Sequence, residues 1–465
     1  MNMIGRSFRA AALIGAAALA LAFAAGTRAQ NQDSNHDGDS HSNTNTWPYA
    51  RHGRSPVLAV VGDIACQPGE VENGVIVEPA GEAPKELCSN PKAPYTSTSL
   101  WQSQEATANQ IEAMKPDAVA ITGDLQYQVG QYSDFVQSFD LTYGAFKFLH
   151  RPSPGNHEFY DEHSETGVAG YGYFSYYNGF QIDTHGNPIT TTVTDPCPAT
   201  PPAVAAACNN PGLTTPNPQP VPRADGQAGH FELGPNGGVN GSGVADGWYS
   251  FNLGSWHLIS LNIECSTQPG GCDKSGSWFA AELEWLKRDL DENHAACTAA
   301  YWHQPTFSPA NSISPEGIAA QAFWQALYEH RADLVLNGHD HLYAHYRPLD
   351  PSGKYDPRNG IREFVVGTGG ETLDTVATAN TTTADPTSNP NFNALNLETG
   401  TAGGFYWGVM ALTLDDHGYR WDFESALEAP LAGAPASPTF SDKGVGTCHG
   451  GFRWDGDDRG GNNNR

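Results

Sequence analysis

Short apolar runs alternate along the chain with stretches in which apolar residues recur at helical spacing. Val57–Val61 and Ala118–Ile121 are continuous apolar runs, which are typical of strands buried on both faces. Segment 277–293 instead carries apolar side chains every three or four residues, which indicates an amphipathic helix with Ser277 as its N-cap. The pattern predicts an α/β fold. Predicted strands are 57–61, 118–122, 248–253, 256–262, 298–302, 333–336, 364–366 and 409–414, and predicted helices are 99–115, 132–146, 277–293 and 317–330.

Segment 160–247 departs from this alternation. Gly, Pro, Thr and Asn dominate it, and its periodicity is poor. Long loops inside a compact domain are usually functional or mobile. Two interpretations stay open: a loop that covers the mouth of a site, or an insertion without a role.

Polar blocks follow or close the predicted strands, in a fixed order. Because ligands of open α/β sheets bind beyond the carboxyl ends of the strands, these blocks are candidates for one shared site. Each block alone is a weak signal, whereas the ordered set is specific. The five blocks are Gly62-Asp63, Gly123-Asp124-Leu125-Gln126-Tyr127, Gly155-Asn156-His157-Glu158, Trp302-His303-Gln304-Pro305 and Gly338-His339-Asp340-His341.

Carboxylate, phenol, amide and imidazole groups together suit a pair of metal ions. Two ions about 3.5–4 Å apart acidify a bridging water and clamp a phosphoryl group during hydrolysis. Oxygen ligands favour a hard ion, and imidazoles favour Zn, Mn or Fe. The blocks therefore predict a two-metal phosphoesterase.

The same series resembles the calcineurin-like metallophosphoesterases over roughly Pro56–Asp422. The tyrosine three residues after Asp124 is similar to that of the purple acid phosphatase branch. The resemblance implies a four-layer α/β sandwich, with two mixed β-sheets flanked by helices. It implies two metal ions as cofactors, Fe with Zn, Mn or a second Fe.

The resemblance also implies a role for each matching residue. Asp124 bridges the two ions, and Tyr127 gives a phenolate to the first. Asp63 and His341 complete the first ion's ligands, while Asn156, His303 and His339 bind the second.

His157 adjoins a ligand without being one. The resemblance gives it a catalytic role, contacting the phosphate and protonating the leaving group, which suits an imidazole near neutral pH. The alternative role for His157 is to orient the side chain of Asn156. Segment 304–311 lacks the substrate-contacting histidines of plant-type relatives, so His345 and Asn311 are candidate substitutes.

The N-terminal segment and the cysteines predict a protein located outside the cytoplasm. Arg6 and Arg9 precede an apolar run that ends in small residues at Ala29, which predicts a secretory signal peptide rather than a membrane anchor. Eight cysteines fit an oxidising compartment, and sequence neighbours suggest four disulfides. The suggested pairs are Cys66–Cys88, Cys197–Cys208, Cys265–Cys272 and Cys297–Cys448.

The predicted organisation has four parts: a signal peptide (1–29), a disordered polar leader (30–54), a catalytic domain (55–427) and a C-terminal extension (428–465). The extension is expected to be tied back by a disulfide. The predicted location is secreted or periplasmic, with no membrane contact after cleavage.

A net charge of −27 disfavours nucleic acid as a general partner. Small-molecule phosphate esters are the expected substrates. The leading function is a phosphatase that hydrolyses monoesters by attack of a metal-bound hydroxide. A phosphodiesterase or nucleotidase with the same metals, and a non-catalytic secreted metal-binding protein, are the alternatives. Oligomeric state is not predicted.

Overall fold

Two six-stranded mixed sheets form the centre of the computed structural model. It describes residues 54–68, 70–72, 75–77, 88, 100–160, 170–178, 225–230, 246–268, 270–310, 314–374, 406–428 and 440–451. Strands are numbered along the chain. The first sheet has the order β16-β15-β14-β1-β4-β5 and the second β12-β13-β11-β10-β9-β8.

The first sheet contains β1 (Val57–Val61), β4 (Ala118–Thr122), β5 (His150–Ser153), β14 (Tyr406–Asp415), β15 (Gly418–Glu428) and β16 (Ser441–Thr447). The second contains β8 (Tyr249–Leu253), β9 (Trp256–Ser260), β10 (Cys297–Tyr301), β11 (Leu334–Asn337), β12 (Tyr343–His345) and β13 (Arg362–Val366). Two small hairpins pair β2 (Glu70–Glu72) with β3 (Val75–Val77) and β6 (Asp225–Gly226) with β7 (Gly229–His230).

The α-helices are α1 (Leu100–Met114), α2 (Tyr132–Asp134), α3 (Asp140–Tyr143), α4 (Tyr171–Asn178), α5 (Ser277–Glu292), α6 (Pro315–Ala319) and α7 (Gln321–Glu329). A π-helix spans Phe135–Phe139, and 3₁₀-helices span Gly144–Leu149, Asn156–Phe159, Cys265–Thr267 and His449–Gly451. Across the described ranges, no helix has both the length and the apolar character needed to cross a bilayer.

Alternation of side chains along the central strands creates the layers. In β1, Leu58 and Val60 join the core between the sheets, whereas Ala59 and Val61 join the core that includes residues of α1. β10 also contributes to two cores. Its Ala299 and Tyr301 join the core between the sheets, whereas Ala300 packs with residues of α5 and α7 on the outer face. Burial on both faces explains why these strands are continuously apolar. The predicted four-layer sandwich, with two mixed sheets flanked by helices, is confirmed.

Most predicted elements lie where the pattern puts them, and two depart from it in detail. The helix predicted over 132–146 is a series of α-, π- and 3₁₀-turns that ends at Leu149. Ser277 is not the N-cap of α5: Gly276 takes that position and gives no side-chain hydrogen bond.

Part of segment 160–247 belongs to the fold rather than to a covering loop. Helix α4 buries Tyr173, Phe174, Tyr176 and Tyr177 in the core beside the π-helix. The pattern missed it because tyrosine and glycine are poor helix formers. Most of the remaining segment, including any position over the site, lies outside the described residues.

Three disulfides join the predicted partners Cys66–Cys88, Cys265–Cys272 and Cys297–Cys448. The fourth predicted pair, Cys197–Cys208, lies outside the described residues. Cys297–Cys448 joins β10 to the residue that follows β16. β16 also extends the first sheet by pairing with β15.

Candidate metal centre

The candidate ligands lie beyond the carboxyl ends of five parallel strands. β1, β4 and β5 are adjacent and parallel in one sheet, and β10 and β11 are adjacent and parallel in the other. Asp63, Asp124 and Asn156 follow the first three strands, and His303 and His339 follow the other two. Hydrogen bonds join the two sheets here, since Gly62 N–H donates to the carbonyl of Val366. The topology therefore brings together groups spread from residue 63 to residue 341.

Three predicted ligands surround the hydroxyl of a fourth, Tyr127. It lies 3.1 Å from Asp63 Oδ1, 3.1 Å from Asp124 Oδ2 and 3.0 Å from His341 Nε2. His341 Nε2 lies 3.2 Å from Asp63 Oδ1. Tyr127 is buried with its hydroxyl inside this group, which distinguishes it from a tyrosine that only packs in an apolar core.

A second group meets at the same carboxylate oxygen of Asp124. His303 Nε2 lies 2.9 Å from Asp124 Oδ2 and 3.1 Å from Asn156 Oδ1. The rings of His303 and His339 have centroids 5.1 Å apart. One candidate ligand atom from each of Asp124, His303 and His339 lies within 4.8 Å of the others, and the same holds for Asp63, Asp124 and His341. Asp124 is therefore shared by both groups.

The hydrogen bonds behind the histidines direct their lone pairs into the cluster. His303 Nδ1 lies 2.8 Å from the carbonyl of Thr122, and His341 Nδ1 lies 2.5 Å from that of Thr372. A carbonyl only accepts, so each Nδ1 carries the hydrogen and each Nε2 is left with a lone pair in the neutral imidazole.

Those lone pairs face other lone pairs. His303 Nε2 faces oxygens of Asp124 and Asn156, and neither oxygen has a hydrogen to offer. The arrangement is favourable only if the imidazole gains a proton or a cation lies among the three atoms. A mixed oxygen and nitrogen donor set of this kind fits a transition-metal cation.

Burial and mutual charge set the pKa values of these groups. Burial opposes protonation of His303, but Asp124 raises its pKa to about 10. Burial lowers the pKa of His339 to about 3, and repulsion from His303 adds to this. Burial, Asp124 and Asp63 raise the pKa of Tyr127 well above its usual range. The largest influences on these pKa values include no lysine or arginine.

Three candidate ligands have strained backbone conformations. Asp63, Asp124 and His339 have φ values of 60°, 47° and 67°. Non-glycine residues rarely adopt the left-handed region, and such strain concentrates at functional sites. The surrounding fold thus fixes these ligands at a cost in local backbone energy.

Glycines next to the ligands allow the backbone to approach the carboxylates. A Cβ on Gly338 would lie 2.5 Å from Asp63 Oδ2, and a Cβ on Gly155 would overlap the carboxylate of Asp124. The glycines that precede the ligands in the sequence are therefore required by space at these two positions.

His157 lies beside the cluster, and its backbone N–H makes a hydrogen bond to one of the candidate ligands. Its N–H donates to Asp124 Oδ1 at 2.9 Å, and its Nδ1 lies 2.6 Å from the carbonyl of Gln128. Its Nε2 is 3.8 Å from Asp124 Oδ2, outside hydrogen-bonding distance. Burial lowers the pKa of His157, and Asp124 partly counteracts this. Among the described residues, the His157 ring makes no hydrogen bond to the Asn156 side chain. Other residues therefore orient that amide.

Glu158 is a structural residue of the centre that the sequence alone did not identify. One carboxylate oxygen accepts the backbone N–H groups of Leu125 and Gln126, at 2.9 and 3.1 Å. The other accepts Gly155 N–H at 2.8 Å. Burial and the Asp124 charge raise the pKa of Glu158 to about 8. Its position in the Gly-Asn-His-Glu block is the sequence signal that could have identified it.

The segment after His303 supplies one nearby side chain. Gln304 is buried, and its Nε2 lies 3.4 Å from Asn156 Oδ1. His345 is elsewhere: its Nε2 lies 3.1 Å from Asp442, and its ring packs on Phe364 between the sheets. The structure thus gives His345 no place in the centre, and Asn311 lies outside the described residues.

Comparisons with known proteins agree with the sequence resemblance over part of the chain. Purple acid phosphatase 15 of Arabidopsis thaliana is 33% identical over 115 residues, which are 23% of this chain and 20% of that protein. The sequence resemblance to purple acid phosphatases is confirmed over that stretch. No family model matches the chain.

Uncharacterized protein Rv2577 of Mycobacterium tuberculosis is 30% identical over 124 residues, 24% of this chain and 23% of that protein. The match thus spans about a fifth of the length of these curated relatives. Among solved structures, the purple acid phosphatase PPD1 of yellow lupin aligns with 83% of this chain and 53% of its own at 14% identity, with a TM-score of 0.41.

Proposed function

We propose that this protein is an exported phosphatase that hydrolyses phosphate monoesters at a centre of two metal ions. The observation that carries the proposal is the shared position of Asp124. Its carboxylate lies between a phenol-containing group and an imidazole-containing group, each with three or more candidate ligands. A carboxylate between two such groups is what a pair of adjacent cations needs as a bridge.

The proposed first ion is bound by Asp63, Asp124, Tyr127 and His341. The proposed second ion is bound by Asp124, Asn156, His303 and His339. The phenolate and carboxylates favour a hard ion such as ferric iron at the first position, and imidazoles with an amide favour Zn, Mn or Fe at the second. When bound, the two ions would supply a nucleophile from water near neutral pH and neutralise charge on the phosphoryl oxygens.

The protein's own residues orient and complete this chemistry. The carbonyls of Thr122 and Thr372 fix the tautomers of His303 and His341, and backbone strain at Asp63 and Asp124 fixes the carboxylates. Because His157 donates its Nδ1 hydrogen to Gln128, its Nε2 is the atom that would hold a proton for the leaving oxygen.

Export is supported by the disulfides. Three disulfides are present among the described residues, and such bonds persist mainly in oxidising compartments. Together with the predicted signal peptide, they support a secreted or periplasmic location.

The test is hydrolysis of p-nitrophenyl phosphate and bis(p-nitrophenyl) phosphate by metal-loaded protein. We expect the monoester to be the better substrate and His303→Ala to abolish its hydrolysis. His330→Ala is the matched control, because His330 pairs with the exposed Asp291 outside the centre. A diester preference would make the protein a phosphodiesterase, and no hydrolysis of either ester would contradict the proposal.

A further inference from the structure

Tyr160 ends the 3₁₀-helix that carries Asn156 and His157. Among the described residues it is one of the few large aromatic side chains with substantial exposure, at 38%. Most aromatic residues of the described chain are buried. An exposed aromatic ring beside a candidate catalytic centre calls for a functional explanation.

The Tyr160 hydroxyl fixes the Asn156 amide. Asn156 Nδ2 donates to the Tyr160 hydroxyl at 2.6 Å, so Asn156 Oδ1 is turned toward His303 Nε2, 3.1 Å away. Without this acceptor, only the longer contact from Gln304 Nε2 to Asn156 Oδ1, at 3.4 Å, would distinguish the oxygen of the carboxamide from its nitrogen. Tyr160 therefore supports the amide orientation that ligand binding requires.

The Tyr160 ring covers one side of His157. The two ring centroids are 4.7 Å apart, and the Tyr127 ring lies 4.1 Å from His157 as well. Tyr127 is buried and its hydroxyl belongs to the ligand cluster. Of these two tyrosines, Tyr160 is the one that is partly exposed to solvent.

We propose that Tyr160 is a specificity-determining residue whose ring contacts the organic group of the ester. This inference rests on the proposed function, because it takes His157 as the proton donor to the leaving oxygen. A group bonded to that oxygen must lie within a few ångströms of His157, and hence beside Tyr160. The flat, partly exposed ring selects aryl esters over small alkyl esters through aromatic contact.

The experiment compares phenylphosphonate and methylphosphonate as competitive inhibitors of the metal-loaded enzyme. The two are not hydrolysed, so their inhibition constants do not depend on leaving-group chemistry. We expect the wild type to bind phenylphosphonate more tightly, and Tyr160→Ala to reduce that preference about 5- to 10-fold. Tyr160→Phe keeps the ring, so its preference should stay within about 2-fold of wild type while its metal retention falls.

Phe148→Ala is the matched control, since Phe148 is 68% exposed and precedes β5 at the end of the strand opposite the centre. It should leave the preference unchanged. If Tyr160→Ala does not fold, Tyr160→Leu replaces it with the same expected loss. Two results would overturn the role of Tyr160 and leave the proposed function standing. In the first, the active wild type shows no preference for phenylphosphonate; in the second, Tyr160→Ala keeps the wild-type preference. A wild type that hydrolyses no ester overturns the proposed function instead.

Discussion

His303 Nε2 and Asp124 Oδ2 lie 2.9 Å apart, although the two residues are separated by 179 positions and follow strands of different sheets. Both side chains are buried. Because the Thr122 carbonyl accepts the Nδ1 hydrogen of His303, the facing atoms of this pair have only lone pairs when the imidazole is neutral. The pair is therefore a contact that a cation between the two atoms would stabilise.

Asp124→Asn should remove the shared carboxylate and with it the retention of both ions. Loss of residues that only orient ligands typically costs 10–100-fold, so we expect turnover of p-nitrophenyl phosphate to fall by more than about 100-fold. The measurements are kcat and metal content after gel filtration. Asp291→Asn is the control, because Asp291 is exposed. Wild-type rate and metal content in Asp124→Asn would refute the bridging role.

Glu158→Gln should weaken the loop that carries Asp124. One of the three backbone N–H groups held by the carboxylate would then face an amide NH₂, and a buried unsatisfied donor costs about 1–3 kcal/mol. Urea unfolding measures this loss of unfolding free energy. Glu284→Gln, on the exposed side of α5, should be neutral. Equal stabilities of the two variants would show that Glu158 does not hold the loop.

Tyr127→Phe tests the identity of the first ion. A ferric ion bound by the Tyr127 phenolate should give the wild type a violet colour, and the variant should lose this visible absorption while keeping its fold. Tyr355→Phe is the control, since Tyr355 is half exposed and contacts Arg347 instead. A colourless, active wild type would mean that both ions are divalent.

His449 should make stability depend on pH. Burial opposes its protonation, but the contact with Asp333 raises the pKa of His449 above its unfolded value near 6.5. The stabilisation is then fully present below about pH 6.5 and is lost as the pH rises through the folded pKa. The melting temperature of wild type minus that of His449→Gln should therefore be larger at pH 5.5 than at pH 8.5. A difference that is constant with pH would contradict this assignment.

The central strands and the grouping of the ligands were predictable from the sequence. Val57–Val61 and Ala118–Ile121 are apolar throughout because both faces are buried, and chemistry placed after such strands converges at one edge. The ordered blocks also carried information that no single residue did.

Other features depend on tertiary contacts and leave weak local signals. β16 has alternating exposure and small or polar residues, so only its pairing with β15 makes it a strand. Helix α4 is stabilised by tyrosines that pack on the π-helix, not by helix propensity. Tyr160 follows a motif that ends two residues earlier, and its contacts with Asn156 and His157 appear only in three dimensions.

Metal stoichiometry of the purified, active protein tests the central claim most directly. Elemental analysis of the wild type should give two metal ions per chain. Chelation should remove them together with activity, and the restored ions should recover both. Full activity with one ion per chain, or with none, would contradict the account.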